Sequence, residues 1–401
     1  MSLLLSDKKI LLGISGGIAA YKTADWVREM RREGAEVRVM MSTAAGRFIT
    51  PLTMAALSGQ PVHDDIFATA EAQRIPHINL GREGDLILLA PATANLIARL
   101  AHGLADDLLA AVVLAAQAPV MVCPAMNSTM YAHPATGDNL ARLRQYGYHV
   151  VEPETGSLAC GEEGPGRLAS WETVRQEILT VLSPQDLHGK KILVTAGPTW
   201  EPLDPVRLLS NRSSGKMGYA LAAAARRRGA RVTLISGPGA IPPPAGVETV
   251  PVVTARQMHD EVISRAPAME VVIKAAAVSD YRPAHYAPHK LKKGATDATL
   301  PLVANPDILG ELGEMKRQAR CFPLLVGFAA ESDHHLAEGR RKLAAKNLDL
   351  VAINDISAED AGFAVDNNRI TMVDRNDTVE ELPLLSKEAA ANRILDAILR
   401  L

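Results

Sequence analysis

KKILLGISGG at residues 8–17 and KKILVTAGPT at residues 190–199 decide the fold, because the chain opens the same way twice. Each stretch is a basic pair, a short apolar strand and a glycine turn leading toward a helix. A chain of 401 residues outgrows one ordinary core, and the repeated opening divides it into two α/β halves. Between them SPQDLHG, residues 183–189, is polar and carries the proline and glycine of a boundary. The expected domains are residues 1–186 and 187–401.

In the first half ILLGI, AEVRVMM, DLILLAP, PVMVCP and HVVEP read as strands. Helical patterns lie between them, notably YKTADWVREMRREG and NLIARLAHGLADDLLAAVVLAA. KILVTAG, RVTLISG, VETVPV, EVVIKAAAV, PLLVGFAA and LDLVAIND repeat the grammar in the second half. Continuous apolar strands alternating with helices make a mainly parallel sheet covered on both faces, the doubly wound α/β class. TLISGPGAIPPPAG and residues 279–302 read as loops. The latter is lysine-rich and long enough that function is expected in it.

Apolar residues make up 47% and charged residues 22%, as in soluble globular proteins. A net charge of -2 gives no general basic field for nucleic acid. The three cysteines, Cys123, Cys160 and Cys321, are odd in number and sparse, which fits a reducing compartment without a disulfide framework. The apolar run in MSLLLSDKKI is too short for a signal segment, and no window reaches about 18 apolar residues. The expectation is a cytoplasmic protein with no membrane or nucleic-acid partner.

Ligands of such sheets sit beyond the carboxyl ends of the strands, where helix N-termini favour anions. GISGGIAAYK places Gly13, Gly16 and Gly17 at one such end, without a clean G-x-G-x-x-G. A nicotinamide site wants an acid at the end of the next strand. Here those strands end in Ser42 and Thr43, and in Ser236, hydroxyls that suit a phosphate better than a ribose diol. APATANLIA adds Thr93 and Asn95, and CPAMNSTMYAHP adds Asn127. On chemistry alone His77 reads as a solvated loop histidine, Asn127 as a helix N-cap, and Met126 and Met130 as core filler. LACGEEGPGRL, residues 158–168, is too polar for core, so its free thiol Cys160 needs something to react with; Cys123 and Cys321 border apolar strands and read as packing thiols. SNRSSGKMG, residues 210–218, is not a Walker A motif but is rich enough in donors to cradle an anion. In RRKLAAKN, Lys342 and Lys346 share a helix face, solvated or turned to a ligand. Two readings from other classes are weighed. One is a flavin- or dinucleotide-dependent reductase with two nucleotide-binding domains; the other is a flavin-binding regulatory protein.

Taken together, GISGGIAAYK, His77, APATAN, PAMNSTMY and ACGEEGPGR resemble the flavin-containing cysteine decarboxylases. GPTWEPLDPVRLLSNRSSGKMG, AAAVSDYRP, KLKKG, NPDIL and VGFAAES resemble phosphopantothenate–cysteine ligase. In this order they are similar to the bifunctional phosphopantothenoylcysteine decarboxylase/phosphopantothenate–cysteine ligase family of coenzyme A biosynthesis. The resemblance implies a flavodoxin-like flavoprotein domain followed by a Rossmann-like ligase domain. It implies FMN at Gly16, Gly17, Ile18, Ser42, Thr93, Ala94, Asn95 and Leu96; Leu96 departs from the family, which often has a hydroxyl there. It further implies His77 as catalytic, Asn127 as a carboxylate ligand and Cys160 as an acid.

The same resemblance implies ligation of 4'-phosphopantothenate to L-cysteine with CTP, through an acyl-cytidylate. Asn211 is then expected at the acyl-cytidylate carbonyl, supported by Arg207, with Lys290 neutralising the reacting phosphate. Cytidine is expected at Ala276, Asp280, Pro306, Asp307, Ile308, Leu309, Phe328, Lys342 and Lys346. Lys292 and Lys293 solvate the KLKKG loop or assist there. Mg2+ is expected with a nucleoside triphosphate, Asp280 being the candidate ligand. A homo-oligomer, a dodecamer built from trimers and dimers, is also implied.

The chemistry explains why such residues are wanted. Direct loss of carbon dioxide from an N-acylcysteine leaves an unstabilised carbanion, whereas a C=S beside the carboxylate-bearing carbon lets the charge reach sulfur. A flavin supplies the redox step, and the protein must hold the carboxylate and move protons. An asparagine amide, a histidine titrating near neutrality and a thiol able to give a proton meet those needs.

Overall fold

The computed structural model describes residues 4–67, 76–292, 299–331, 335–355 and 367–401. It divides into two compact units, Leu3–Ser183 and Pro184–Leu401.

The first unit is a six-stranded parallel sheet. Its strands are β1 (Lys9–Ile14), β2 (Glu36–Met41), β3 (Val62–His63), β4 (Leu86–Ala92), β5 (Val120–Pro124) and β6 (His149–Val150), in the order β3-β2-β1-β4-β5-β6. All seven residues of β4 are buried, as a central strand covered on both faces requires. Alternation along the strands feeds two cores. Ile10, Leu12 and Ile14 join Leu86 and Leu88 on one face, packed by Trp26, Val27 and Met30 of helix Thr23–Arg32. Leu11, Ile87 and Leu89 lie on the other with Ile97 and Leu109. The long helical run expected from Asn95 onward is two helices, Ala94–Ala101 and Leu108–Leu114. Gly103 turns the chain at φ +67, and Asp107 caps the second helix by accepting from the Ala110 amide at 2.9 Å.

The second unit is an eight-stranded sheet in the order Glu248–Pro251, Arg231–Ser236, Lys191–Ala196, Val271–Lys274, Leu324–Glu331, Leu350–Asp355, Ile370–Asp374, Val379–Glu381. It is parallel as far as Leu350–Asp355, and the last two strands run antiparallel. Helices Lys216–Arg227 and Lys387–Leu399 cover one face, and Ala255–Arg265 and Ile308–Gln318 the other. The expected doubly wound, mainly parallel architecture is present twice. Both units place their order reversal beside their first strand, where such sheets open a ligand crevice.

The compact units divide at Ser183/Pro184, and the residues that follow pack into the second unit. Leu187 is 1% exposed within its core. The buried guanidinium of Arg228 holds Asp186 at 2.7 Å and Asp396, near the chain's end, at 2.7 Å. Among the described residues no helix is long and apolar enough to cross a membrane.

Candidate active sites

In the first unit the crevice opens between β1 and β4. Ser15 at the end of β1 is buried; its Oγ donates to the Pro91 carbonyl at 2.7 Å and accepts from the Thr93 amide at 3.0 Å, so the two strand ends are tied together. Thr93 caps helix Ala94–Ala101 by accepting from the Leu96 amide. Gly16 lies so close to Ala44 that a Cβ would stand 2.4 Å from the Ala44 Cβ, and a Cβ on Gly17 would stand 3.5 Å from Thr93 Cγ2. The GISGG turn, the Ser42 turn and the APATAN helix start therefore converge. Ile18 is 59% exposed at the rim, an apolar surface. This set fits a flavin mononucleotide: a helix N-terminus for its phosphate, glycine backbone for close approach and an apolar rim. Leu96 is the exception, its side chain buried at 3% exposure and its amide spent on Thr93. A cavity of about 350 Å3 beside Ser42 and Thr43 also reaches Asp64 and Asp65 after β3.

The thiol segment is a hairpin, not an irregular loop. Its strands are β7 (Glu154–Ser157) and β8 (Glu163–Arg167), with a tip closed by Leu158 N to Glu162 O at 2.8 Å and by Gly161 at φ +85. Two glycines seat it on the turn that follows β5. A Cβ on Gly166, at φ +129, would lie 2.3 Å from the Met126 carbonyl, and one on Gly164 would lie 2.8 Å from Ser128 Cβ. The Met126 amide donates to the Gly166 carbonyl at 2.9 Å. This seating brings Cys160 Sγ to 3.4 Å from Asn127 Nδ2, which also donates to Glu162 Oε2 at 2.7 Å. The other end of the Asn127 amide caps helix Ser128–Ala132, its Oδ1 accepting from the Thr129 amide at 2.8 Å. Asn127 is thus an N-cap and an exposed-side donor at once.

Three sequence readings change here. His77 is the second residue of helix Pro76–Glu83, and its Nδ1 is buried with no partner among the described residues, so it is not a solvated loop residue. No hydrogen bond among the described residues joins it to Asn127 or Cys160. Met130 is 49% exposed and Cys321 is exposed, because the first sits on the outer face of its short helix and the second precedes its strand; neither is core. Cys123 is buried at the end of β5, and burial pushes its thiol far up, as inert packing requires.

In the second unit the crevice is a cavity of about 580 Å3. It is lined by Asn211, Ala276, Asp280, Pro306, Asp307, Ile308, Leu309, Phe328, Lys342 and Lys346, every expected nucleotide residue except Lys290. Two buried threonines fasten its floor: Thr195 Oγ1 accepts from Ala276 N at 3.1 Å and Thr199 Oγ1 from Ser279 N at 3.0 Å. Asn211 Nδ2 donates to the Ala277 and Val278 carbonyls at 3.2 and 3.1 Å. Gly215, at φ +77, leads into helix Lys216–Arg227, whose start also lines the cavity. A Cβ on Gly218 would meet Ala196 Cβ at 2.6 Å, so this glycine lets the helix lie on the strand.

The far wall carries charge. Asp307 caps helix Ile308–Gln318 by accepting from Gly310 N at 3.0 Å, and Lys346 Nζ reaches it at 2.9 Å. Burial opposes ionisation of Asp307, but Lys346 and the Gly310 amide outweigh it and hold the carboxyl below its usual range. Lys342 Nζ donates to the Phe328 carbonyl at 2.9 Å. Lys274 stands at the end of its strand and was not anticipated from the sequence. Val272 packs on the helix Ile308–Gln318 face, so alternation turns Lys274 the same way, toward Lys342 and Lys346. Burial, then those two ammoniums, lower its pKa to about 8. A lysine inside an apolar strand run carries no motif that marks it as a site residue. Asn354, on the strand expected from LDLVAIND, also lines the cavity, as do Asn368 and Lys387 from a short strand and a helix outside the expected runs.

Arg207 lies outside the cavity lining. Its guanidinium binds Asp204 Oδ2 at 2.5 and 2.9 Å and the Leu291 carbonyl at 2.8 Å, while Leu291 N donates to Asp204 at 3.1 Å. The Arg207 pair and backbone donors hold the Asp204 carboxyl well below the usual range. The pair clamps the segment bearing exposed Lys290. Residues 279–302, expected as a loop, contain strand Tyr281–Pro283, paired with Leu302–Ala304. Lys292 is exposed, and Lys293 lies outside the described residues. Among the described residues no group of three or more His, Cys, Asp or Glu side chains could hold a metal, so Asp280 would need phosphate and water oxygens to share an ion.

Comparison with known proteins returns both halves. A family described as "Flavoprotein" matches residues 2–183, and one described as "DNA/pantothenate metabolism flavoprotein C-terminal domain" matches residues 187–401. The chain is 48% identical over 396 residues to the coenzyme A biosynthesis bifunctional protein CoaBC of Vibrio vulnificus (strain YJ016), covering 98% of each. It is 48% identical over 398 residues to the same-named protein of Escherichia coli (strain K12), covering 98% of this chain and 97% of that one. To that of Bacillus subtilis (strain 168) it is 45% identical over 399 residues, again covering 98% and 97%.

Proposed function

Because the chain belongs to the family of coenzyme A biosynthesis bifunctional proteins CoaBC, we propose that each crevice described above is one of its two active sites. The protein is a bifunctional enzyme of coenzyme A biosynthesis, with a decarboxylase in the flavoprotein unit and a ligase in the unit that follows. In the reading proposed here, the ligase joins 4'-phosphopantothenate to L-cysteine at the expense of CTP. The decarboxylase then converts 4'-phosphopantothenoylcysteine to 4'-phosphopantetheine.

In the decarboxylase, Gly16, Gly17, Ile18, Ser42, Thr93, Ala94 and Asn95 hold FMN. When bound, FMN supplies a two-electron acceptor and donor. The remaining tasks fall to the chain. Asn127 offers its amide N–H to the substrate carboxylate, fixed in direction because its carbonyl end is occupied by the Thr129 amide. Cys160, held over the same nitrogen by the hairpin, gives the product its proton. His77, with a buried ring nitrogen lacking a partner among the described residues, moves a proton at the flavin side.

In the ligase, Lys274, Lys342 and Lys346 face one wall, and the Gly215 turn and helix Lys216–Arg227 close the other. Asn211 lies between them at the acyl-cytidylate carbonyl. Lys290, on the clamped segment, meets the reacting phosphate, where a fixed cation offsets charge developing in the transition state. Asp280 would help hold Mg2+, which would supply positive charge against the nucleotide's phosphates, and the enzyme assembles as a homo-oligomer.

The observation that carries this reading is the 3.4 Å approach of Cys160 to Asn127. It joins PAMNSTMY and ACGEEGPGR, two motifs separate in sequence, into one site. The test is a coupled assay with 4'-phosphopantothenate, cysteine, CTP and Mg2+, followed by mass spectrometry. Wild type is expected to release pyrophosphate and form 4'-phosphopantetheine, and Cys160→Ser to stall at an oxidised, decarboxylated enethiol. A wild type that makes no phosphopantothenoylcysteine would return the reductase alternative.

A further inference from the structure

Glu162 is not among the residues that motif comparison assigns a task, yet it occupies the centre of the decarboxylase site. Its carboxylate accepts from Asn127 Nδ2 at 2.7 Å and from Ser128 Oγ at 3.3 Å. No basic side chain hydrogen-bonds to it among the described residues. It is exposed on the hairpin tip, yet its carboxylate is engaged by two neutral protein donors. One of those donors is the amide that is to bind the substrate's carboxylate. The chemical group on Asn127 is therefore already the group the site is meant to recognise.

The backbone leaves little freedom in this placement. Leu158 N to Glu162 O closes the tip, and Gly164 and Gly166 seat the following strand directly on residues 126–128. The same tip carries Cys160, so the Asn127 nitrogen serves as the meeting point of Glu162 and the thiol.

We propose that Glu162 is a built-in surrogate for the substrate carboxylate, which keeps the Asn127 amide oriented and the Cys160 hairpin seated until the substrate carboxylate displaces it. The proposal rests on the reading of Asn127 as the carboxylate ligand. It makes Glu162 a positioning residue that acts through Asn127. Substrate entry exchanges one carboxylate for another at the same nitrogen. Loss of carbon dioxide leaves Asn127 without its ligand, so Glu162 returns and the hairpin reseats over the product.

The test uses the FMN-loaded full chain. KM and kcat for 4'-phosphopantothenoylcysteine, and the Kd of the product 4'-phosphopantetheine, are measured for wild type, Glu162→Gln, Glu162→Asp and Asn127→Ala. Charge-assisted hydrogen bonds are roughly twice as strong as neutral ones, so Glu162→Gln competes less. Its KM is expected to fall about fivefold, equivalent to about 1 kcal/mol. Glu162→Asp, a methylene shorter and unable to span the same contact, is expected to shift KM in the same direction. The product has no carboxylate, so its Kd should not tighten in either variant. An unchanged or raised KM in both variants overturns the proposal, as does equal tightening of substrate and product, which would mean only that the hairpin had loosened. Asn127→Ala decarboxylating with wild-type KM overturns the underlying reading of Asn127, a result distinct from any shown by the Glu162 variants.

Discussion

Replacing Gly166 by alanine should uncouple the two activities of the chain. Gly166 sits at φ +129, outside the backbone conformations that L side chains readily adopt, and its missing Cβ would stand 2.3 Å from the Met126 carbonyl oxygen. Holding alanine in such a backbone costs about 1–3 kcal/mol. The second conflict is with backbone, so no rotamer relieves it, and the hairpin must lift from residues 126–128. A combined cost of about 3 kcal/mol lowers the seated population relative to the lifted one by about a hundredfold, and Cys160 leaves Asn127 with it. Gly161 is the internal comparison: its φ of +85 is also left-handed, but nothing among the described residues lies within 4 Å of its Cβ position. Gly161→Ala pays only the conformational term, about 1–2 kcal/mol. The assay measures carbon dioxide release for decarboxylation and pyrophosphate release for ligation in one preparation. Decarboxylation should fall in the order wild type, Gly161→Ala, Gly166→Ala, while ligation stays at the wild-type rate and reports a folded chain. A Gly166→Ala enzyme that decarboxylates as fast as Gly161→Ala refutes the argument that hairpin seating matters.

Other outcomes follow from the ligase unit. Lys274 has its pKa lowered from 10.5 to about 8 by burial and by Lys342 and Lys346. The unfolded chain binds the extra proton between those values, so stability rises with pH across that window and the penalty is full below about 8. Lys274→Met should therefore raise the melting temperature most below pH 8 and lose its advantage toward pH 10.5; a pH-independent difference would contradict the assignment. Asp204→Asn should free Arg207 and Leu291, let Lys290 drift and lower ligase kcat on the order of tenfold to a hundredfold, with decarboxylation untouched. Wild-type ligation by that variant would remove the clamp from the mechanism. Gly218→Ala forces the helix off Ala196 and should cost the second unit about 1–3 kcal/mol in a denaturant melt, against no change in the first.

Legibility in the sequence followed periodicity and local chemistry. The strand runs ILLGI, DLILLAP and KILVTAG appear where expected because a strand buried on both faces writes itself as an unbroken apolar run. The break at Gly103 was overridden in reading by the apolar residues on either side, yet one left-handed glycine and the Asp107 cap end one helix and start another. The antiparallel strands Ile370–Asp374 and Val379–Glu381 have short, mixed patterns that announce nothing. At the sites, Asn127, Cys160 and Lys342 can be named because the motifs that carry them resemble those of a known family. Lys274, Ser15 and Asp204 could not, since each acquires its role only when strand alternation or a distant loop brings it a partner. Arg207 is a different case: the resemblance implies a supporting place for it beside Asn211, and its contact with the Leu291 carbonyl, which no motif announces, fastens a loop.

The packing of Gln185, Asp186 and Leu187 against Arg228 and the last helix bears on whether the two catalysts could exist as separate polypeptides. Gln185 Nε2 donates to the Arg227 carbonyl at 2.9 Å, and Asp186 supplies one of the two carboxylates that neutralise buried Arg228. A gene split at the repeated KK, which the sequence makes inviting, would strand those residues on the wrong protein. The severed ligase would carry a buried guanidinium short of one counter-charge and a vacant Leu187 slot in its core. A viable fission must fall before Pro184, so the apparent linker is inherited by one product alone.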